Sequence, residues 1–167
     1  VTGVQTCALP ILVAPGINGK MNEVCAAFGL LQLKHIDRAL ERRAAIDARY
    51  RERLAGLRGL RCLRPPTDVA SNHAYFPVMV EPDFRVPRDE LYQRMRAADI
   101  LVRRYFHPLI SEFPMYRGLP SAGSDNLPTA SAAARQVLCL PIHPELSDAD
   151  VDRISGLVTS AARIRAA

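Results

Sequence analysis

The sequence contains no apolar run approaching the roughly 20 residues that a membrane-spanning helix needs. Its four cysteines, Cys7, Cys25, Cys62 and Cys139, form no CxxC pair and stand far apart, mostly among apolar neighbours. That usage suits reduced core thiols in a cytoplasm and not a disulfide framework. Cys139 and His143 would begin a metal site, but two further ligands at compatible spacing are missing. Lysine is scarce as well: Lys20 and Lys34 are the only lysines among 22 basic residues. Schiff-base chemistry therefore has two candidate amines in this chain. No block of one charge sign stands out, because Asp and Glu are interspersed among the arginines. The net charge of +5 then reads as a mildly basic, solvated surface, and a nucleic-acid module has nothing but charge in its favour. No internal repeat is evident.

What is present is enough apolar side chain for a core, 49% of 167 residues, in a chain of ordinary single-domain length. Residues 1–11, VTGVQTCALPI, resemble the apolar core of a signal peptide but lack its Met, its basic start and a following cleavage site. Back-translated, they match a sequencing adapter. The expectation is that residues 1–11 are an artefact, and that the natural segment is the C-terminal part of a longer protein.

From Met21 to about Leu57 apolar residues recur at steps of three and four, predicting one long helix or two nearly collinear ones. Gly29 inside it suggests close approach of another helix. The polar face carrying Glu41, Arg42, Arg43, Asp47, Arg49, Arg51, Glu52 and Arg53 predicts a solvated surface with helical ion pairs. Gly56 and Gly59 end the helix. Short strands follow at Leu60–Leu63 and His73–Val80, where Pro77 argues for an edge strand or a bulge. A helix begins after Pro87 and buries Leu91, Met95 and Ala98; Leu101–Phe106 reads as a strand. The stretch 108–128, rich in Pro, Gly and Ser, is long enough to be a functional loop. A helix over Thr129–Arg135, a strand over Val137–Leu140 and a final helix capped at Ser147 complete the pattern, with Val151, Ile154, Leu157 and Val158 inward. The fold class expected is α+β: a long N-terminal helix, then a small, mainly antiparallel sheet with helices on one face.

The stretch GINGKMNE, residues 16–23, sets Asn18 and Lys20 between a Gly-rich bend and a helix start. A helix start can cradle a phosphate. Taken alone, Asn18 also fits an ordinary turn or cap, and Lys20 a solvated lysine.

Four segments in order, GINGKMNEVCAAFGLLQLKHID, ERRAAIDARYRERL, RRYFHPLI and VLCLPIHPELSDADVDRI, resemble the DegT/DnrJ/StrS family of pyridoxal-phosphate-dependent sugar aminotransferases. The resemblance covers Gly16 to about Val158, and GINGKMNE is similar to members acting on dTDP-4-keto-6-deoxy sugars. It implies a division into residues 12–35, the end of a large domain, and residues 36–167, the C-terminal small domain of a fold-type-I aminotransferase. It further implies pyridoxal 5'-phosphate as cofactor, an amino donor that is commonly glutamate, a keto nucleotide sugar as acceptor, and a homodimer in the cytoplasm feeding lipopolysaccharide O-antigen, capsule or natural-product glycosylation. The family's Schiff-base lysine precedes this motif, so neither Lys20 nor Lys34 takes that role and the chain itself would lack transaminase activity. Asn18 matches the asparagine that reaches the cofactor phosphate across the dimer. Lys20 takes the motif's basic position, a substrate or phosphate contact. Arg103, Arg104, Tyr105 and His107 are carried over as substrate-site candidates, with arginine forks suited to a diphosphate. His107 precedes Pro108, whereas many members carry a histidine after the following Leu. Strand alternation would send Arg103 and Tyr105 to one face and Arg104 to the other. His143 in LPIHP is expected to stabilise a turn. Two further readings stand beside this one: a non-catalytic domain that binds a partner through Met21–Leu57, and a dehydratase or regulator sharing the family's tail.

Overall fold

The computed structural model describes residues 19–66, 68–105 and 107–163, and the chain divides into two units between Ile36 and Asp37. The first unit supplies α1 (Glu23–Leu33). Its start is set by Asn22, whose side-chain oxygen accepts the Cys25 amide at 2.8 Å and so satisfies a donor that has no intrahelical acceptor. No residue of α1 is buried, and Val24 and Phe28 are 79% and 62% exposed. Gly29 was expected at a close helix approach; nothing lies within 4 Å of where its Cβ would sit. Of the two readings of the helical pattern from Met21, one helix or two, two helices form. Lys34 and His35 turn the chain by bonding back to Leu31 and Gln32, and α2 (Ile36–Arg53) begins anew.

The second unit carries β1 (Leu60–Cys62), β2 (Phe76–Val80), α3 (Arg88–Ala97), α4 (Pro128–Gln136), β3 (Val137–Leu140) and α5 (Asp148–Ala162). The strands form one antiparallel sheet in the order β1-β2-β3. The fold is thus the mixed helix and small antiparallel sheet arrangement that the pattern predicts. Period-two alternation aims Phe76, Val78 and Val80 of β2 and Leu138 and Leu140 of β3 at one face. There they pack under α2, α3 and α5 through Ile46, Tyr50, Leu91, Met95, Val151 and Val158. Burying each such side chain contributes about 1.5–3 kcal/mol. On the opposite face Met79, Val137 and Cys139 make a smaller cluster with Ala133 of α4 and with Tyr105.

Pro77 does not mark an edge, because β2 is the central strand. Its carbonyl accepts the Leu63 amide at 3.3 Å, so its ring nitrogen faces the same neighbour, where an N–H would have met the Leu63 carbonyl. Arg51 donates to that carbonyl instead, at 2.9 Å, and so replaces the donor that proline removes. On the other side Pro77 opposes Cys139, whose own backbone groups bond outward to Arg103 at 2.8 and 3.1 Å.

Among the described residues of the strand expected at Leu101–Phe106, that pair is all that forms: a single bridge between Arg103 and Cys139. Side-chain contacts, and not ladder bonds, hold the following residues. The polar face of α2 departs from expectation too. Arg42, Arg49 and Arg53 reach across to Asp148 and Asp152 of α5 at 2.7–3.4 Å, and only Arg51 with Asp47 makes a pair within the helix. Gly59 enables the turn into β1. Its φ is +74°, and a Cβ there would lie 2.2 Å from the Phe84 nitrogen. The helix α3 stops in a Schellman turn, with Ile100 N–H on Met95 O and Asp99 N–H on Arg96 O, and with Asp99 at φ 56° where glycine is usual.

Candidate functional site

The segment leaving α3 is anchored by the Arg103–Cys139 bridge, so the side chains on either side of Arg103 have defined directions. Arg104 turns towards α3: its guanidinium donates to Asp89 at 2.9 Å and sits 4.5 Å from the centroid of the Tyr92 ring. Tyr105 turns the other way, with its ring 4.8 Å from that of Tyr75 and the two hydroxyls 3.3 Å apart. The alternation read from the sequence therefore holds for side-chain direction, although the strand itself does not form.

Asp89 collects charge from both ends of this arrangement. Arg88 approaches it at 3.0 Å while donating to the Val137 carbonyl at 2.9 Å, which ties the start of α3 to β3. Burial alone would raise the Asp89 carboxyl. The Arg104 hydrogen bond and the charges of Arg88, Arg104 and His107 outweigh it and hold the carboxyl below the ordinary range. Burial also lowers Arg88.

Arg103 and Tyr105 line two adjoining clefts. The smaller, about 150 Å³, is closed by Tyr75 and the residues from Cys139 to Ile142. The larger, about 460 Å³, is bounded by Tyr92, Arg104, His107, Pro108 and Phe113. The neutral Tyr105 hydroxyl donates to Tyr75, and the positive charge of Arg103 beside Tyr105 favours its ionised form, in which it accepts from Tyr75. Their hydrogen bond accordingly raises the Tyr75 phenol and, with Arg103, holds Tyr105 below its usual value. The Cys139 thiol at the floor is pushed up to about 11 by burial and stays protonated. The cluster offers hydrogen-bond donors and aromatic faces with no nucleophile–base pair, so its chemistry is recognition. Among the described residues no group of three or more metal-ligating side chains occurs.

Of the residues singled out in the sequence, Arg103, Arg104, Tyr105 and His107 come together around these clefts. Lys20 belongs to the first unit, where it is exposed two residues before the N-cap of α1. Asn18 lies outside the described residues. The Leu146 amide bonds to the His143 carbonyl at 3.1 Å, the turn role expected of that residue. Sequence reasoning missed Tyr75, Asp89 and Tyr92. Asp89 and Tyr92 stand three apart on α3, a spacing that puts both on one helix face and could have flagged them.

A family model matches residues 4–159. This chain belongs to the DegT/DnrJ/EryC1/StrS aminotransferase family. Among relatives of this family, the dTDP-4-amino-4,6-dideoxy-D-glucose transaminase of Escherichia coli is 47% identical over 147 residues, 88% of this chain and 40% of the relative. The structure of DesV from S. venezuelae, in complex with a ketimine intermediate, superposes with a TM-score of 0.82 at 30% identity, over 92% of this chain and 40% of that one. Spr1654 of Streptococcus pneumoniae in its PLP form gives a TM-score of 0.78 at 27% identity, over 90% and 38%. The chain thus spans about two-fifths of the length of these family members. Among the described residues no helix is long and apolar enough to cross a membrane.

Proposed function

We propose that the polypeptide to which this chain corresponds is a pyridoxal-phosphate-dependent aminotransferase. It moves an amino group from a donor such as glutamate to the keto group of a nucleotide sugar, and it works as a cytoplasmic homodimer in the supply of amino sugars for surface or natural-product glycosylation. The observation that carries this reading is the family match over residues 4–159 together with the 0.82 TM-score across 92% of the chain. The name of the E. coli relative favours a dTDP-linked 4-keto-6-deoxy sugar as acceptor and a transaminase over a dehydratase.

The donors before α1 have the chemistry of a phosphate site: the exposed Lys20 ammonium and the first amides of the helix, which have no intrahelical acceptor. Asn18 would add a neutral amide. Pyridoxal phosphate, when bound, supplies an electron sink for proton transfer at the carbon bearing the amine. The residues of the second unit bind and orient. Arg103 and Tyr105 offer donors to the diphosphate of the substrate, and Asp89 and Tyr92 hold Arg104 at the rim of the larger cleft. The Schiff-base lysine belongs to the part of the family fold that precedes residue 12.

Adding pyridoxal phosphate to the chain should give no stable stoichiometric Schiff-base absorbance; a band abolished by Lys20→Ala would overturn the assignment. In the longer polypeptide, Arg103→Ala should weaken nucleotide-sugar binding by about tenfold, the scale of one lost charge-assisted hydrogen bond. An unchanged KM in that variant would remove Arg103 from the site.

A further inference from the structure

A second cleft, about 460 Å³, lies where the end of β2 meets the start of α3 and the end of α4, lined by none of the residues around Arg103. Three arginines face it, Arg85, Arg88 and Arg135, with Gln136 beside them and Phe84 contributing an apolar wall. The local charge does not cancel. Glu81, also on the cleft, is held by Arg61 at 2.7 Å, and Asp83 is held by Arg58 at 3.4 Å. Asp89 is shared between Arg88 and Arg104, two guanidiniums on one carboxylate. Arg85 and Arg135 have neither a hydrogen bond nor an ion pair among the described residues.

Arg88 is the built element of this site. Its side chain is 3% exposed, and its Nε has no hydrogen-bond partner although Asp89 lies 3.0 Å away, which marks poor alignment of the N–H. A buried guanidinium that shares its one carboxylate with Arg104, beside two unpaired arginines, leaves net positive charge at the cleft, and an anion with several acceptor oxygens offsets it. The mixed lining and the volume suit a metabolite of sugar-phosphate or nucleotide size.

We propose that this cleft binds a phosphate-bearing small molecule through Arg85, Arg88 and Arg135. The inference does not depend on the aminotransferase reading, since it uses neither the cofactor nor the Arg103 clefts. The test is calorimetric titration of inorganic pyrophosphate, at low salt, into the 167-residue chain carrying Arg103→Ala, which removes the diphosphate contact proposed above. Binding should be 1:1, and the double variant Arg85→Ala, Arg135→Ala should weaken it by about tenfold or more without changing Tm, because both side chains are exposed and unpaired. Absence of binding in the Arg103→Ala chain, or equal binding after the Arg85 and Arg135 substitutions are added, would each overturn the proposal, the first by leaving the anion to the Arg103 clefts. An acidic peptide that binds where pyrophosphate does not would overturn it in favour of a protein-docking face.

Discussion

Helices α1 and α2 share one run of helical spacing in the sequence, read as one long helix or two nearly collinear ones, yet they end up in opposite circumstances. The first has apolar side chains all round and buries none of them. The second has a strongly polar composition and buries Ile46, Asp47 and Tyr50 completely enough to anchor the core. Spacing therefore tells where a side chain points along a helix and leaves open whether anything meets it. For α2 the meeting is made by β2 beneath and α5 alongside, the polar face serving as a set of long-range ion pairs. No residue of α1 is buried, and its apolar side chains stay exposed.

The sharpest way to break this contrast is to truncate one aromatic in each helix. Tyr50 is 0% exposed, packs on Phe76 at 4.8 Å and donates to the Pro141 carbonyl at 3.0 Å. Tyr50→Ala should cost about 3–5 kcal/mol in denaturant unfolding, the range for deleting a buried aromatic ring. Phe28→Ala in α1 should cost under about 0.5 kcal/mol, the surface value. Equal losses would show that α1 has a partner within this chain.

Glycines give the next comparison. Gly59→Ala should cost more than about 2 kcal/mol, because it combines backbone strain at positive φ with a Cβ driven into the Phe84 backbone. Gly29→Ala meets nothing and should stabilise α1 by up to about 1 kcal/mol, read as a gain in helical circular dichroism. A loss at Gly29 would restore the close approach that the sequence suggested.

The smallest effect concerns the ion pairs of α2. The Arg49 hydrogen bond holds the Asp152 carboxyl below its ordinary value, and the Arg42 hydrogen bond does the same for Asp148. With folded values below the unfolded one near ~3.9, the stabilisation is present above that pH and is lost as pH falls through the folded values. Asp152→Asn should therefore lower Tm at neutral pH and converge with the unchanged protein in acid. Both carboxylates are solvent-exposed, so added salt should narrow the gap too. A difference that persists at low pH would mean that the pair acts through packing.

Much of the second unit was legible in advance because its signals are local. The Ser147 cap accepts the Asp150 amide at 3.1 Å, Val151, Ile154 and Val158 turn inward, and β3 spans Val137–Leu140 as the apolar run suggested. The α5 box departs in one detail. Asp150, one carbon shorter than Glu, takes a bond from the Ser147 hydroxyl at 2.5 Å. The candidate site was legible in part. Arg103, Arg104, Tyr105 and His107 are contiguous in sequence, so any fold brings them near one another. Tyr75 arrives from the residue before β2 and Asp89 and Tyr92 from α3; the helical spacing of the last two puts them on one face, but no local rule places that face, or Tyr75, beside Arg104 and Tyr105.

The sequence alone determined most of the element types, the inward faces of α2, α3 and α5, and the family, since each rests on residue spacing or on motif identity over short stretches. Only tertiary structure decided that β2 is central despite Pro77, with Arg51 from α2 supplying the missing donor to Leu63. It likewise decided that arginines expected in solvent bind α5, and that three others gather around one cleft. Hydrogen-bond replacement and charge compensation depend on which groups meet across long sequence separations, and helical or strand periodicity carries no information about that.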